Sequence, residues 1–182
     1  MMQDVGFKPK LSSLENTPIV IKDKYKHLGI WFDQHLAWNF AIKELAKSAS
    51  RALGVVISKL IACGGMPYTV YTRLFESLVQ PIMLYGSCIW GIAEQRLINN
   101  IQNRAMKAYL GVNKYTSNVG VLGDFGWKSC QAKQHMEVFR LYCRLRTVNT
   151  GRLLHRVYIW SSRRGNSWEA RVRKLGKKKP TF

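Results

Sequence analysis

An apolar stripe that recurs at steps of three and four residues constrains the fold of this chain more than any other feature. The stripe consists of Ile42, Leu45, Ala49, Leu53, Val56 and Leu60. Such steps place side chains on one face of an α-helix, so we predict a long amphipathic helix that starts near Ala37. Gly64 and Gly65 follow the stripe and suit a helix C-cap, and we expect the helix to end there.

The rest of the chain also has mainly helical periodicity. We predict helices over residues 68–79, 94–110, 128–148, 151–160 and 168–175. Pro67 fits the first turn of its helix, whereas Pro81 would kink or break one. The almost wholly apolar residues 82–92 are expected to form a buried segment. Residues 112–126 hold three glycines, and we expect a loop with one helical turn there.

Within these helices, the periodicity assigns an inner and an outer face. In the segment 94–110, we expect Leu97 and Ile98 to point inward and Gln102, Arg104 and Lys107 to point outward. In the segment 128–148, Met136 and Cys143 are expected to point inward. We expect most of the tryptophans to be core anchors, and Trp168 is the best candidate for stacking on a nucleobase because charged residues surround it.

Residues 17–32 have strand-like character instead. The β-branched residues 19–21 precede a polar turn at 22–24, and Tyr25 to Phe32 then form the predicted second strand. Gly29 within that strand indicates a bulge or a close backbone approach. The predicted fold class is therefore mainly α, of the α+β type, with a short N-terminal β-hairpin followed by a helical bundle.

The positive charge of the chain is large and unevenly distributed. The net charge is +19, and residues 112–182 alone carry sixteen basic and three acidic residues. Charge of one sign concentrated in this way points to a polyanionic partner, which is most often nucleic acid. A soluble protein with a merely basic surface is the alternative.

Several other classes of protein are disfavoured. No signal peptide or membrane span is predicted, because the chain lacks an apolar run near the ~20 residues that a span needs. The four cysteines form no C-x-x-C pair, and we expect them to be reduced, buried residues of an intracellular protein. The four histidines have no partners at zinc-ligand spacing, so no metal site is predicted.

A series of short motifs, in a particular order, resembles one family. They are Y-x-x-L-G (25–29), S-R-A-L-G (50–54), L-F-E-S-L-V-x-P (74–81), L-Y-G-S-x-I-W-G (84–91), I-Q-N-R-A-M-K-A-Y-L-G-V (101–112) and G-D-F-G-W (123–127). F-K-P-K (7–10), Arg152, Leu153 and Trp160, and the pair Ser167 and Trp168 look like further pieces. Together they resemble the region after the palm in non-LTR (LINE-type, jockey-like) retrotransposon reverse transcriptases.

The resemblance implies a division of the chain into three parts. Residues 1–36 would be a remnant of the palm with its last β-hairpin, in which Tyr25, Leu28 and Gly29 support the primer. Residues 37–111 would be the thumb, a helical bundle that packs along the template–primer duplex. Residues 112–182 would be a basic, helical C-terminal region with a frayed tail, which handles template RNA or target DNA. The protein would reside in the nucleus.

The resemblance also implies that polymerase chemistry belongs elsewhere. The family's catalytic carboxylates lie upstream of this region, and this chain has no Asp-Asp pair; its aspartates are Asp4, Asp23, Asp33 and Asp124. Two-metal phosphoryl transfer needs clustered carboxylates. We therefore expect a non-catalytic fragment of an RNA-directed DNA polymerase, with no catalytic residue and no cofactor; magnesium would belong to the missing palm.

Two groups of cations are the candidate binding residues for RNA and DNA. Lys43, Lys47 and Arg51 recur at four-residue spacing opposite the apolar stripe, as expected for phosphate contacts along a duplex. The second group consists of Lys133, Arg140, Arg144, Arg146, Arg152 and Arg156. For both groups the alternative is a solvated helix face. The lysines 177–179 fit either a nuclear-import signal or a solvated tail.

Two other functions stay open at this stage. The chain could be an inert or degraded transposon remnant whose formerly covered apolar surfaces are exposed. It could also be a helical DNA-binding protein of another class, although the long helices fit a short helix-turn-helix poorly. The sequence does not fix an oligomeric state.

Overall fold

The computed structural model describes residues 13–14, 17–18, 22–92 and 95–177 of the chain. Two short antiparallel pairs come first, β1 (Ser13–Leu14) with β2 (Thr17–Pro18) and β3 (Lys24–His27) with β4 (Ile30–Asp33). The helices are α1 (Trp38–Ala62), α2 (Tyr68–Leu74), α3 (Gln80–Met83), α4 (Ser87–Trp90), α5 (Arg96–Leu110), α6 (Asn118–Phe125), α7 (Cys130–Thr147), α8 (Leu153–Ser162) and α9 (Trp168–Lys177). The predicted fold class, mainly α with a hairpin before a helical bundle, is confirmed.

Helix α1 agrees with its prediction in extent, in buried face and in termination. Every residue of the apolar stripe is buried, with Ala49 and Leu53 fully enclosed. At the end of the helix, the Gly65 amide donates to the Leu60 carbonyl at 2.9 Å and the Gly64 amide donates to the Ile61 carbonyl at 3.0 Å. These two hydrogen bonds form a Schellman motif, which needs the positive φ angle that Gly64 adopts.

Pro81 does not break its helix, contrary to one sequence expectation. The backbone continues from α2 into α3 through a π-helical segment, Phe75–Val79, in which the Gln80 amide donates to the Phe75 carbonyl. Proline lacks an amide hydrogen and crowds the carbonyl four residues earlier. The wider π turn accommodates that crowding, and such bulges are a recognised alternative to a break.

The hairpin is shorter than predicted, and its turn lies elsewhere. Leu28 and Gly29 form a two-residue turn with φ angles of 46° and 86°, and His27 pairs with Ile30 across it. The predicted turn at 22–24 was therefore wrong, and the segment predicted as one strand is itself the hairpin. A two-residue turn with positive φ at both positions matches the twist of antiparallel strands. The predicted strand at 19–21 lies outside the described residues.

The tip of the hairpin is anchored to the segment between α3 and α4. The Tyr85 hydroxyl donates to the Leu28 carbonyl at 2.6 Å. A Cβ added to Gly29 would lie 3.5 Å from the Tyr85 ring, an ordinary contact with a side chain, so the predicted bulge or close backbone approach was wrong and the φ of 86° in the turn is what favours glycine here. A Cβ added to Gly86 would come within 2.7 Å of the Ile30 side chain. Gly86 thus allows the hairpin to pack closely against this segment.

Aromatic side chains join α2, α5 and α6 in the core. Trp127 stacks on Phe75 with ring centroids 4.3 Å apart and meets Phe125 edge-on at 4.5 Å. The hydroxyl of Tyr71 is fully buried and donates to the Ala105 carbonyl of α5 at 2.8 Å. Residues 112–126 were expected to be mainly loop, but α6 occupies 118–125 because Val121 and Phe125 are buried in this cluster.

Some predicted faces were wrong. Gln102 is buried, because its amide donates to the Lys128 carbonyl at 2.8 Å and its Oε1 accepts from the Cys130 amide at 2.6 Å. It thereby joins α5 to the start of α7. Leu97, Met136 and Cys143 are exposed, contrary to expectation. Within the predicted buried segment 82–92, Met83 and Trp90 are buried, but Tyr85 and Ile89 are exposed.

Among the described helices, none is long and apolar enough to cross a bilayer.

The core does not stop at the expected boundary between residues 111 and 112. The same buried cluster contains α1 side chains and extends to Cys130. Beyond it, α8 and α9 pack against α7, and the Trp168 indole donates to the Ile89 carbonyl at 3.1 Å. The division into three parts stays a prediction.

Replacing Tyr85 with phenylalanine tests how the hairpin is anchored. The substitution removes the hydroxyl that donates to Leu28, a loss of about 1 kcal/mol for one hydrogen bond. Amides of residues 24–33 should then exchange with solvent about fivefold faster, while α1 amides keep their rates. The matched control is Tyr115→Phe, at a tyrosine that is 83% exposed. Equal exchange rates in both variants would show that the hydroxyl does not anchor the hairpin.

Candidate nucleic-acid interface

The predicted cations of α1 form an exposed row. Lys43, Lys47 and Arg51 are all exposed, on the side of the helix away from its buried stripe. Lys47 makes a 2.7 Å ion pair with Glu44 and, by that hydrogen bond, holds the pKa of the Glu44 carboxyl below its usual value. Arg51 donates to the Ser48 hydroxyl at 3.1 Å. The row therefore keeps a net positive charge, since it contains three cations beside one carboxylate.

Helix α5 brings further cations beside this row. Arg104 of α5 donates to the Ser50 hydroxyl of α1 at 3.3 Å, so cations of the two helices lie on adjoining surface. An open groove of about 600 Å³ runs from Arg104 towards α6. Its lining residues are Asn100, Asn103, Arg104, Lys107, Ala108, Gly111, Val112, Lys114 and Asn118. This lining holds three cations and no acidic side chain; we call it the α5 groove.

Sequence reasoning did not select the α5 groove as a site. Arg104 and Lys107 were predicted to lie on the outer face of their helix. Arg104 is exposed, and Lys107 is half-buried. Lys107 donates to the Lys114 carbonyl at 2.8 Å and so fixes the loop that closes the groove. The available signal was the recurrence of asparagine, arginine and lysine at helical spacing. The contact between α5 and α1 depends on tertiary packing, and helical spacing within one segment does not predict it.

The predicted cations of α7 do not form one uniform face. Lys133 is half-buried and donates to the Gln80 side chain of α3, and burial lowers its pKa. It thus lies against α3 instead of projecting into solvent. Arg140 is exposed but forms an ion pair with Glu137. Arg144 and Arg146 are exposed, and the Arg146 guanidinium lies 5.6 Å from the Tyr142 ring.

The remaining predicted residues lie on α8 and in the hairpin. Arg152 and Arg156 are exposed at the beginning of α8. In the hairpin, Tyr25 and Leu28 are exposed and Gly29 occupies the turn. The primer-support role that the resemblance implies for these three residues stays a prediction. Lysines 178 and 179 lie outside the described residues.

The tryptophans divide into core and surface groups. Trp90 and Trp127 are buried, as expected for core anchors. Trp168 is half-buried, and its indole N–H is engaged with α4 through the Ile89 carbonyl. Trp160 is 59% exposed and does not belong to the core group. Apolar periodicity alone did not separate Trp160 from Tyr158, which is the buried aromatic residue of α8.

The cysteines are only partly as predicted. All four are free, but Cys63 and Cys143 are exposed, Cys88 is half-buried and Cys130 is buried. Burial raises the pKa of the Cys130 thiol to about 12 and also raises the pKa of Cys88. Across the part of the chain that the structure describes, no three His, Cys, Asp or Glu side chains come together as a metal-binding group.

Comparison with protein-family models, curated proteins and solved structures finds no match for this chain.

The cysteine environments predict selective reaction with a thiol reagent. Only the thiolate is nucleophilic, and a pKa of about 12 keeps Cys130 protonated at pH 8. With Ellman's reagent, Cys63 and Cys143 should react first, Cys88 more slowly, and Cys130 only after denaturation. The double variant Cys63→Ser with Cys143→Ser should lose the fast phase. Rapid labelling of native Cys130, located by peptide mass mapping, would contradict the buried position.

Proposed function

We propose that this chain is a non-catalytic nucleic-acid-binding module, equivalent to the thumb and C-terminal region of a non-LTR retrotransposon reverse transcriptase. It holds template–primer RNA and DNA through basic helix faces. The observation that carries the proposal is the adjoining exposed surface of α1 and α5, joined by the contact between Arg104 and Ser50. The α1 row and the α5 groove together present six cations: Lys43, Lys47, Arg51, Arg104, Lys107 and Lys114.

This surface suits the phosphate backbone of a duplex. A helix rises about 1.5 Å per residue, so Lys43 and Arg51 are separated by about 12 Å along α1. One strand carries a phosphate about every 3.4 Å of duplex axis, so the row can reach several phosphates. Contacts to phosphates set position and affinity but carry no sequence information. Binding with little sequence preference and steep salt dependence follows.

The C-terminal cations extend the same interaction. Arg144, Arg146, Arg152 and Arg156 are exposed and free to contact a strand, whereas Lys133 contributes less because it is held against Gln80. Arg140 would exchange its contact with Glu137 for a phosphate. Exchange of one partner for another gains little free energy, so α7 is the weaker part of the interface.

Polymerase chemistry is assigned to another part of the enzyme. Asp33 already has a structural role, since its carboxylate accepts the backbone amides of His35 and Ala37 at 3.0 and 2.8 Å and shapes the entry to α1. Asp124 lies on α6, in the bundle. The palm, with its magnesium ions, would supply the catalytic carboxylates.

One observation favours the alternative of an inert remnant. Val70 is exposed and, with Leu74, lines a mainly apolar depression on α2 and the π segment, and Leu78 of the same segment is also exposed. Such a surface is expected where a neighbouring domain has been lost. Strong light scattering by the purified chain at low salt, without measurable affinity for RNA or DNA, would favour this alternative. Sequence-specific duplex binding would instead favour a DNA-binding protein of another class.

Neutralising the α1 row tests the proposed interface. The triple variant Lys43→Gln, Lys47→Gln, Arg51→Gln should bind an RNA–DNA duplex more weakly, because three phosphate contacts are lost. The slope of log K against log salt should become shallower by roughly 2 to 3. Fluorescence anisotropy over a salt series measures both quantities.

A matched control for this variant is available on α9. Arg171, Lys174 and Lys177 are also exposed, and their replacement by glutamine removes the same charge from another helix. The control should keep most of the affinity and most of the salt slope. If both triple variants lose affinity equally, only the total charge matters and the α1 row is not an interface.

A primer-extension assay tests the assignment of catalysis. The purified chain, given primed template, magnesium and deoxynucleotides, is expected to add no nucleotide, because its sequence contains no Asp-Asp pair. Authentic reverse transcriptase serves as the positive control. Extension above the level of a heat-denatured sample would overturn the non-catalytic assignment.

A further inference from the structure

The outer face of α8 carries an exposed aromatic ring among cations. The Arg164 guanidinium carbon lies 4.5 Å from the centroid of the Trp160 ring, within cation–π range. Residues 148–168 include Arg152, Arg156, Arg163 and Arg164 but no aspartate or glutamate. No acidic side chain within this segment therefore competes for the arginines.

A shallow groove adjoins the Trp160 ring. Its volume is about 370 Å³, and its lining residues are His155, Arg156, Ile159, Trp160 and Arg163. The groove thus combines an aromatic ring, an aliphatic side chain and two guanidinium groups on one helix face. Leu153 and Val157 are also exposed and continue the apolar part of the face towards the beginning of α8.

The helix that carries this face is fixed by its opposite side. Tyr158 is buried at 8% exposure, and burial together with the adjoining Glu169 carboxylate raises its pKa to about 12. Glu169 is itself buried and forms an ion pair with Arg173 of α9. Because α8 is held against α7 and α9, Trp160 is presented from a defined position.

We propose that this face of α8 binds single-stranded nucleic acid, with a nucleobase stacked on Trp160 and the flanking phosphates bound by Arg156 and Arg163. Aromatic rings beside a positively charged groove are the general means of binding single strands, since every base has a π face that can stack. The proposal rests on the proposed function only in taking nucleic acid as the partner. It does not depend on the reverse transcriptase resemblance or on the α1 row.

The geometry favours a single strand over a duplex or a membrane. Bases in a duplex are stacked on each other, so their faces cannot reach a surface tryptophan without disruption of the helix. If Trp160 inserted into a membrane, its cation–π contact with Arg164 would either be lost or require the guanidinium to enter the apolar layer. Burying an arginine in that layer costs free energy. The arginines of the groove flank the same ring, which suits a base with its own phosphates.

The test compares affinities of the full chain for a short oligouridine and for an RNA–DNA duplex of the same length. Trp160→Ala should weaken oligouridine binding about tenfold and leave duplex binding unchanged. Trp160→Phe should retain most of the single-strand affinity, because a smaller ring still stacks. Leu78→Ala removes an exposed apolar residue of the π segment, outside the α8 face, and serves as the control, with wild-type affinity expected. Circular dichroism establishes that each variant is folded.

The outcomes separate this proposal from the proposed function. Wild-type oligouridine affinity in a folded Trp160→Ala variant would overturn the α8 site while leaving duplex binding by α1 untouched. Trp160-dependent oligouridine binding together with unchanged duplex binding in the α1 triple variant would support the α8 site and overturn the α1 interface. Vesicles of phosphatidylserine form a further arm. Trp160-dependent vesicle binding with no effect on oligouridine would assign the face to a membrane and overturn the proposal.

Discussion

The buried contact between Tyr71 and α5 is the interaction on which the rest of the bundle depends. The Tyr71 hydroxyl reaches the Ala105 carbonyl within the core, and its ring packs between Tyr109 and Trp127. The polar group is thereby satisfied where an unpaired one would be costly. With α2 and α5 fixed to each other, α5 also packs along α1, and the cations of both helices are brought onto adjoining surface.

The motifs that carry the family resemblance have a common physical role in this structure, because several of them contact one another. The Leu28 turn meets Tyr85, Trp127 of G-D-F-G-W stacks on Phe75, and Trp168 donates to Ile89. The order and spacing of these motifs therefore reflect packing. Three cations of the proposed interface, Arg51, Arg104 and Lys107, belong to these motifs, and the packing holds their helices in place.

The structure also separates two kinds of basic surface. The α1 row and the α5 groove offer cations with amide side chains between them, which suits a phosphate backbone. The α8 face offers Trp160 with Arg156, Arg163 and Arg164 around it, which suits an unpaired base. A module with both surfaces could hold a duplex and the single strand that continues from it. The duplex would lie on the α1 row and the α5 groove, and the single strand would lie on the α8 face. Each of these two proposals has its own independent test.

The sequence by itself determined the helices with long apolar periods. The buried face of α1 and its end at Gly64 and Gly65 follow from local periodicity and backbone freedom, and the exposure of Lys43, Lys47 and Arg51 follows from the same period. Tertiary structure alone decided which polar residues are buried and which aromatic ones are not. Gln102 is buried because Lys128 and Cys130 satisfy its amide, and Trp160 is exposed because Tyr158 takes the inner position on α8. The hydrogen-bond partners of Gln102 lie in a distant part of the chain. On α8, two aromatic residues compete for one interior face. A local sequence pattern encodes neither the distant partners nor the outcome of that competition.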